Sequence, residues 1–257
     1  MLLAIDVGNT NIKLRVYDKN ERKHSWRLSV KVVRTADEIG ILFAGLFGSK
    51  SVDLKNFDGV IMSSVQPSLN YTIEHACEYY LGKRPIMVGV GIKTGLNIKY
   101  SNPQEVGADR IVNSVAAYKL YGGPCIVVDF GTATTFNVIS PRGEFMGGCI
   151  APGIITGLEA LTNNTAKLPR VEIAKPDSII AKSTVTGLQA GMVYGSTGMV
   201  KYILLKLKEE SGYTDVKVIA TGGLSEVILG VDDEKIIDVV DRSLTLKGLK
   251  LIYDMNI

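Results

Sequence analysis

An apolar strand that ends in Asp, one spacer and Gly occurs twice in this chain, and that repetition restricts the fold more than any other feature. Leu2-Leu3-Ala4-Ile5 leads into Asp6-Val7-Gly8-Asn9-Thr10, and Cys125-Ile126-Val127-Val128 leads into Asp129-Phe130-Gly131-Thr132-Ala133. Alternating apolar residues follow each copy (Ile12, Leu14 and Val16; Phe136 and Val138), as in the returning strand of a hairpin. The copies lie about half of the 257 residues apart, so the pattern reads as an internal duplication.

The chemistry of such a turn follows from its residues. A buried strand delivers an Asp at its end, where the carboxylate can reach a hydrated Mg²⁺ without being buried unpaired. The Gly permits close backbone approach, and successive N–H groups in a tight turn form a concavity for anions. Asn9, Thr10, Thr132, Thr134 and Thr135 add short polar groups without bulk. Ordinary β-turns also favour Asp, Gly and Asn, so one copy alone would say little. Two copies at half-chain spacing point to a pair of hairpins holding a nucleotide polyphosphate.

Bulk properties exclude several classes. Hydrophobic residues make up 46% and charged residues 21%, which suits a globular protein with a sizeable core. A net charge of +3 without a basic, aromatic-studded run gives no nucleic-acid footprint. Cys77, Cys125 and Cys149 lack metal-ligand spacing and cannot all pair with one another, which fits a reducing compartment. His24 and His75 are far apart, so a histidine triad or zinc site is not expected. The N-terminus enters a strand at once and no apolar run reaches membrane-spanning length, so we expect a cytoplasmic protein without membrane association.

Residues 2–7, 12–17 and 24–30 read as a three-stranded meander, with a charged turn over Lys19–Lys23. Thr35 and Glu38 form a capping-box pair before Ile39, Leu42, Phe43 and Leu46 at helical spacing. Strands are expected at 59–64 and 86–88, with a helix over 69–80 between them. Asn102-Pro103-Gln104-Glu105 reads as the entry to a helix that runs to Tyr121 and stops at Gly122-Gly123. Strands near 125–130, 134–139 and 145–148 follow, with helices near 153–162, 185–210 and 243–254 and a strand at 216–220. Three strands followed by helix, strand and helix, twice over, is the layout of a duplicated ribonuclease-H-like α/β fold. The expected domains are 1–122 and 123–257, two similar domains with a central cleft.

No Walker A pattern and no Rossmann glycine fingerprint is present, so nucleotide binding must use the acetate/sugar kinase–heat-shock–actin mode. There, Mg²⁺ and paired hairpins replace a P-loop lysine. Ala220-Thr221-Gly222-Gly223 after a strand is the expected adenosine side of the site. Phosphoryl transfer also needs a base for the incoming hydroxyl, and Asp109 in Gly107-Ala108-Asp109-Arg110 is the candidate. An Asp early in a helix also serves simply as a dipole partner, and that reading stays open here.

The chain resembles the type III pantothenate kinases. The strings that carry the likeness are Asp6-Val7-Gly8-Asn9-Thr10-Asn11, Lys93-Thr94-Gly95-Leu96, Gly107-Ala108-Asp109-Arg110, Asp129-Phe130-Gly131-Thr132-Ala133-Thr134-Thr135 and Thr165-Ala166-Lys167-Leu168-Pro169. The resemblance implies ATP-dependent phosphorylation of pantothenate to 4'-phosphopantothenate, the first step toward coenzyme A. It also implies that Asp6, Val7, Gly8, Asn9, Thr10, Asn11, Ile12 and Lys13 hold ATP phosphates, with Asp6 serving Mg²⁺ and Thr132 touching ATP. By the same likeness Asp109 accepts the substrate proton. Tyr100, Gly107, Ala108, Asp109, Arg110 and Thr184 contact pantothenate, and Asp129 binds a monovalent cation, K⁺ or NH₄⁺. A homodimer is implied as well. Two positions depart from the family pattern: Gln66 stands where an apolar residue is expected, and Ser183 where Asn is usual. The alternatives are another small-molecule kinase of the same superfamily, or a catalytically inactive regulatory relative.

Overall fold

A computed structural model describes residues 1–19, 21–231 and 234–257. The elements in chain order are β1 (Leu2–Val7), β2 (Asn11–Asp18), β3 (Glu21–Ser29), α1 (Ala36–Gly48), β4 (Gly59–Ser64), α2 (Pro67–Leu81), β5 (Ile86–Met87), β6 (Asn97–Ile98) and α3 (Ala108–Tyr121). They continue with β7 (Cys125–Phe130), β8 (Ala133–Ile139), β9 (Glu144–Pro152), α4 (Ile154–Asn163), α5 (Thr184–Ser211), β10 (Lys217–Gly222), α6 (Ser225–Leu229), β11 (Val239–Val240) and α7 (Leu244–Asp254). Of the charged turn expected at 19–23, Asn20 lies outside the described residues.

Two compact units form. Unit 1 comprises 1–95, 102–116 and 244–257, and unit 2 comprises 96–101 and 117–243. They do not follow a cut at 122/123. α7 packs on β1 and β4 of unit 1, and β6 pairs with β9 of unit 2.

The sheet of unit 1 has the order β3-β2-β1-β4-β5, antiparallel on the β2 side of β1 and parallel on the β4 side. Unit 2 has the order β11-β10-β7-β8-β9-β6. There β7 pairs antiparallel with β8 and parallel with β10, so β7 repeats the role of β1 and β6 is an extra edge strand. This is the duplicated ribonuclease-H-like α/β arrangement expected from the layout.

Strand alternation sorts each central strand into two faces. Leu3, Ile5 and Val7 join the core beneath α1 and α2 with Phe43, Phe47 and Ile73, all but fully buried. Asp6 lies on the opposite face. Ile126, Val128 and Phe130 likewise enter the unit 2 core with Val200 and Leu204 of α5, leaving Asp129 on the other face. α1 begins with the expected capping box, Thr35 accepting from Glu38 N and Glu38 accepting from Thr35 N.

The entry to α3 differs from expectation. Asn102 caps only a single 3₁₀ turn, Pro103–Glu105, its Oδ1 accepting from Gln104 N at 3.2 Å and its Nδ2 donating to Glu105 Oε1 at 2.9 Å. Val106 is extended, and the α-helix starts at Ala108. The local cap signal was spent on that turn, and the interruption puts Asp109 in the first turn of α3. The short elements β6, α6 and β11 carry no periodic pattern long enough to read from sequence.

Candidate active site

In unit 1, β1 ends one residue after Asp6, and the chain turns through Gly8, Asn9 and Thr10 into β2. Gly8 N donates to Asn11 O at 3.0 Å to close the turn. Asp6 is 4% exposed and stands in register with Lys13 on β2 and Ser63 on β4. Lys13 Nζ lies 3.1 Å from its Oδ2, and Ser63 Oγ donates to its Oδ1 at 3.0 Å. The carboxylate is thereby fixed from both neighbouring strands. Asn9 and Thr10 are exposed at the tip, and Gln66 Nε2 donates to Asn9 Oδ1 at 2.9 Å.

Asp109, half-buried, belongs to the same unit. Its Oδ1 accepts from Arg110 N at 2.8 Å. Desolvation pushes its carboxyl above the usual carboxylate range, and the Asp6 charge adds to the rise. The Arg110 N–H and guanidinium act against that shift. Gly107 leaves the room Asp109 needs, because a Cβ there would lie 2.6 Å from Asp109 Oδ1. Ala108 is the small first residue of the helix, and Arg110 is buried, 6% exposed.

In unit 2, Asp129 stands in register with Thr135 on β8 and Thr221 on β10, so hydroxyl-bearing neighbours flank it on both sides. Gly131 N donates to Ala133 O at 3.1 Å, closing a turn one residue tighter than the first. Thr132 O accepts from Gly153 N at 3.1 Å and Thr156 Oγ1 at 2.6 Å, which ties this turn to the start of α4. Gly222, at φ +96°, ends β10 against Phe130 of β7, where a Cβ would meet the Phe130 backbone at 2.5 Å. Tyr100 packs on Phe145 with ring centroids 6.1 Å apart and lies beside Gly147. Thr184 opens α5 and lines an apolar cavity of about 540 Å³ with Leu161, Leu168, Leu188 and Met192.

Unit 1 thus gathers Asp6, residues 7–13 and Gly107–Arg110, and unit 2 gathers Asp129 with Thr132. Tyr100, in the loop after β6, and Thr184, at the start of α5, also belong to unit 2. Sequence reasoning missed two polar contacts, Ser63 on Asp6 and Gln66 on Asn9. Both depend on the parallel pairing of β1 with β4, for which a single chain carries no local signal.

Among the described residues, no group of three or more His, Cys, Asp or Glu side chains could cage a metal. One fixed carboxylate with spare lone pairs suits instead a divalent ion that takes most of its ligands from nucleotide phosphates and water. The donor set fits a divalent ion arriving with a nucleotide.

A sequence profile described as type III pantothenate kinase matches residues 2–206. The type III pantothenate kinase of Geobacillus sp. (strain WCH70) is 50% identical over 257 residues, covering 100% of this chain and 98% of that protein. The chain belongs to the type III pantothenate kinase family. Among solved structures, a protein described as a Baf family transcriptional activator from Campylobacter jejuni is similar at a TM-score of 0.60 and 20% identity, covering 98% of each chain. A protein described as a 2-dehydro-3-deoxygalactonokinase from Sinorhizobium meliloti is similar at 0.59 and 11% identity, covering 99% of this chain and 96% of that one. At such identities these two likenesses carry the fold alone. No helix among the described residues is long and apolar enough to cross a membrane.

Proposed function

We infer that this chain performs ATP-dependent phosphorylation of pantothenate, the entry to coenzyme A biosynthesis, with Asp109 as proton acceptor and the loop from Asp6 to Lys13 as phosphate cradle. The observation that carries the reading is the pairing of Asp6 and Asp109 in one unit. One carboxylate is fixed and charge-partnered by Lys13, and the other is desolvated and held clear by Gly107.

In the reaction, the terminal hydroxyl of pantothenate attacks the γ-phosphorus. The new O–P bond forms as the bond from γ-phosphorus to the bridging oxygen breaks, and ADP leaves. The hydroxyl proton passes to the Asp109 carboxylate, whose raised pKa brings it closer to working pH, as suits a general base. Lys13 and the exposed tip of the turn, at Asn9 and Thr10, offset charge on the phosphates. Asp6 would hold the Mg²⁺ that arrives with ATP, and the ion would supply charge neutralisation at the transferring group. Arg110, Tyr100 and Thr184 are the donors proposed for the pantothenate end, the guanidinium suiting its carboxylate. Gly107 and Ala108 keep that surface shallow, and Thr132 contacts ATP.

Asp129, flanked by Thr135 and Thr221, is proposed as the K⁺ or NH₄⁺ site, since a carboxylate among hydroxyl oxygens offers hard-oxygen ligands. We propose a homodimer, supported by exposed Ile155, Leu161 and Val185 around the apolar cavity on α4 and α5. We propose a cytoplasmic location, consistent with three free cysteines. As repeat units, 1–122 and 123–257 remain our proposal for the domains.

A coupled ADP-release assay tests the reading. Turnover should require pantothenate, ATP and Mg²⁺ together, and a panel of sugars should give none. Turnover with a sugar but not with pantothenate would overturn it.

A further inference from the structure

The turn that follows β4 is bound to the phosphate loop at two points. Val65 N donates to Val7 O at 3.0 Å, and Gln66 Nε2 donates to Asn9 Oδ1 at 2.9 Å. Gln66 is itself held, its N donating to Ser64 Oγ at 3.1 Å. It precedes α2 as N-cap, yet its side chain makes no cap hydrogen bond to that helix. The one side-chain hydrogen bond described for Gln66 therefore goes to the loop.

An Asn side chain carries one acceptor oxygen and one donor NH₂ on opposite branches of its amide. With Oδ1 turned to Gln66, the NH₂ of Asn9 is directed away from it. Asn9 is exposed at the loop tip, beside the Gly8 turn. Phosphate oxygens accept hydrogen bonds and do not donate them, so the two orientations of this amide differ in sign. One offers a donor to the nucleotide, and the other sets a carbonyl oxygen against an anion.

We propose that Gln66 is a positioning residue for the nucleotide: it holds the Asn9 amide with its NH₂ toward the phosphates. The proposal rests on residues 6–13 being the phosphate loop. It gives a purpose to the one polar side chain that departs from the expected apolar residue after β4.

The test is a double-mutant cycle read by calorimetric Kd for MgATP without pantothenate, and by KM and kcat. Gln66→Leu frees the amide, so Kd and KM should weaken about three- to ten-fold, the range of one hydrogen bond, with kcat within two-fold. Gln66→Glu can only accept. It should capture the Asn9 NH₂, turn Oδ1 to the phosphates and weaken binding further. In an Asn9→Ala background, Gln66→Leu should change nothing beyond two-fold. An equal loss from Gln66→Leu in both backgrounds would overturn the proposal, as would wild-type binding by Gln66→Leu or Gln66→Glu. Unchanged MgATP binding by Asn9→Ala would overturn it too, whereas unchanged MgATP binding by Asp6→Ala would instead refute the phosphate-loop reading beneath it, so the two failures are distinguishable. Melting curves of each variant confirm folding.

Discussion

Replacing Gly107 with Ala puts one methyl group against the proposed base. The added Cβ would stand 2.6 Å from Asp109 Oδ1, where ordinary contact begins at 3.4 Å, so the oxygen must retreat by about 0.8 Å. Gly107 is outside the left-handed region, so Ala meets no backbone penalty there and the effect is carried by the side-chain collision. Moving Asp109 stretches its bond from Arg110 N, now 2.8 Å, at a cost of about 0.5–1.5 kcal/mol. For a chain of this size that lowers Tm by less than about 6 °C. Misplacing a reacting group by about 1 Å costs on the order of 10²-fold in rate, so kcat should fall roughly 10- to 100-fold. The assay is ADP release at saturating pantothenate and MgATP, with melting curves in parallel. Saturation separates displacement of the base from crowding of pantothenate, which would raise KM. A kcat within two-fold of wild type would show that Gly107 does not set the place of Asp109.

Asp109→Asn should lower kcat by roughly 10²-fold or more while leaving the fold intact. Because the Asp109 carboxyl titrates above its ordinary 3.8, its stabilising contribution is present below that value and is lost as pH rises through the folded-state pKa. Asp109→Asn should therefore melt higher than wild type at neutral pH, the gap closing toward pH 4, and a lower Tm at neutral pH would contradict the desolvated site. For the same reason, the acid limb of kcat/KM in wild type should lie above the usual carboxylate range. Asp6→Ala should abolish MgATP-dependent turnover and shrink the thermal shift given by MgATP; normal binding would make the first hairpin an ordinary turn. At saturating Mg²⁺ in buffer free of alkali and ammonium ions, KCl should restore turnover to wild type but scarcely to Asp129→Ala. Full wild-type turnover in choline chloride would sink the monovalent-cation reading.

What could be read from the sequence was what is decided locally. The Thr35–Glu38 box marks the start of α1 because both partners lie within one turn, and the Asp-x-Gly strings mark strand ends because turn chemistry is local. Asn102-Pro103 shows the limit of such reasoning. The same cap geometry opens either an α-helix or a single 3₁₀ turn, and extended Val106 decides between them. The neighbours that the two aspartates take from β4 and β10 were not legible. Ser63 meets Asp6, and Thr221 adjoins Asp129, through parallel register set by packing across long stretches of chain. That α7 joins unit 1 was not legible for a similar reason, since the surface it covers belongs to β1 and β4.

That placement of α7 bears on how the chain is made. Leu244, Leu246, Leu249 and Ile252 are buried in unit 1. Gly248 comes so close to Val112 of α3 that a Cβ would lie 2.3 Å from its carbonyl oxygen, and Tyr17 OH donates to Leu246 O at 2.9 Å. Translation delivers β1 first and α7 only after all of unit 2 has left the ribosome. Unit 2 therefore has its full complement of residues while unit 1 still lacks a wall of its core, the reverse of the usual N-terminal-first order. A premature stop before residue 244 would spare the residues of unit 2 and leave the unit that holds Asp6 and Asp109 unfinished.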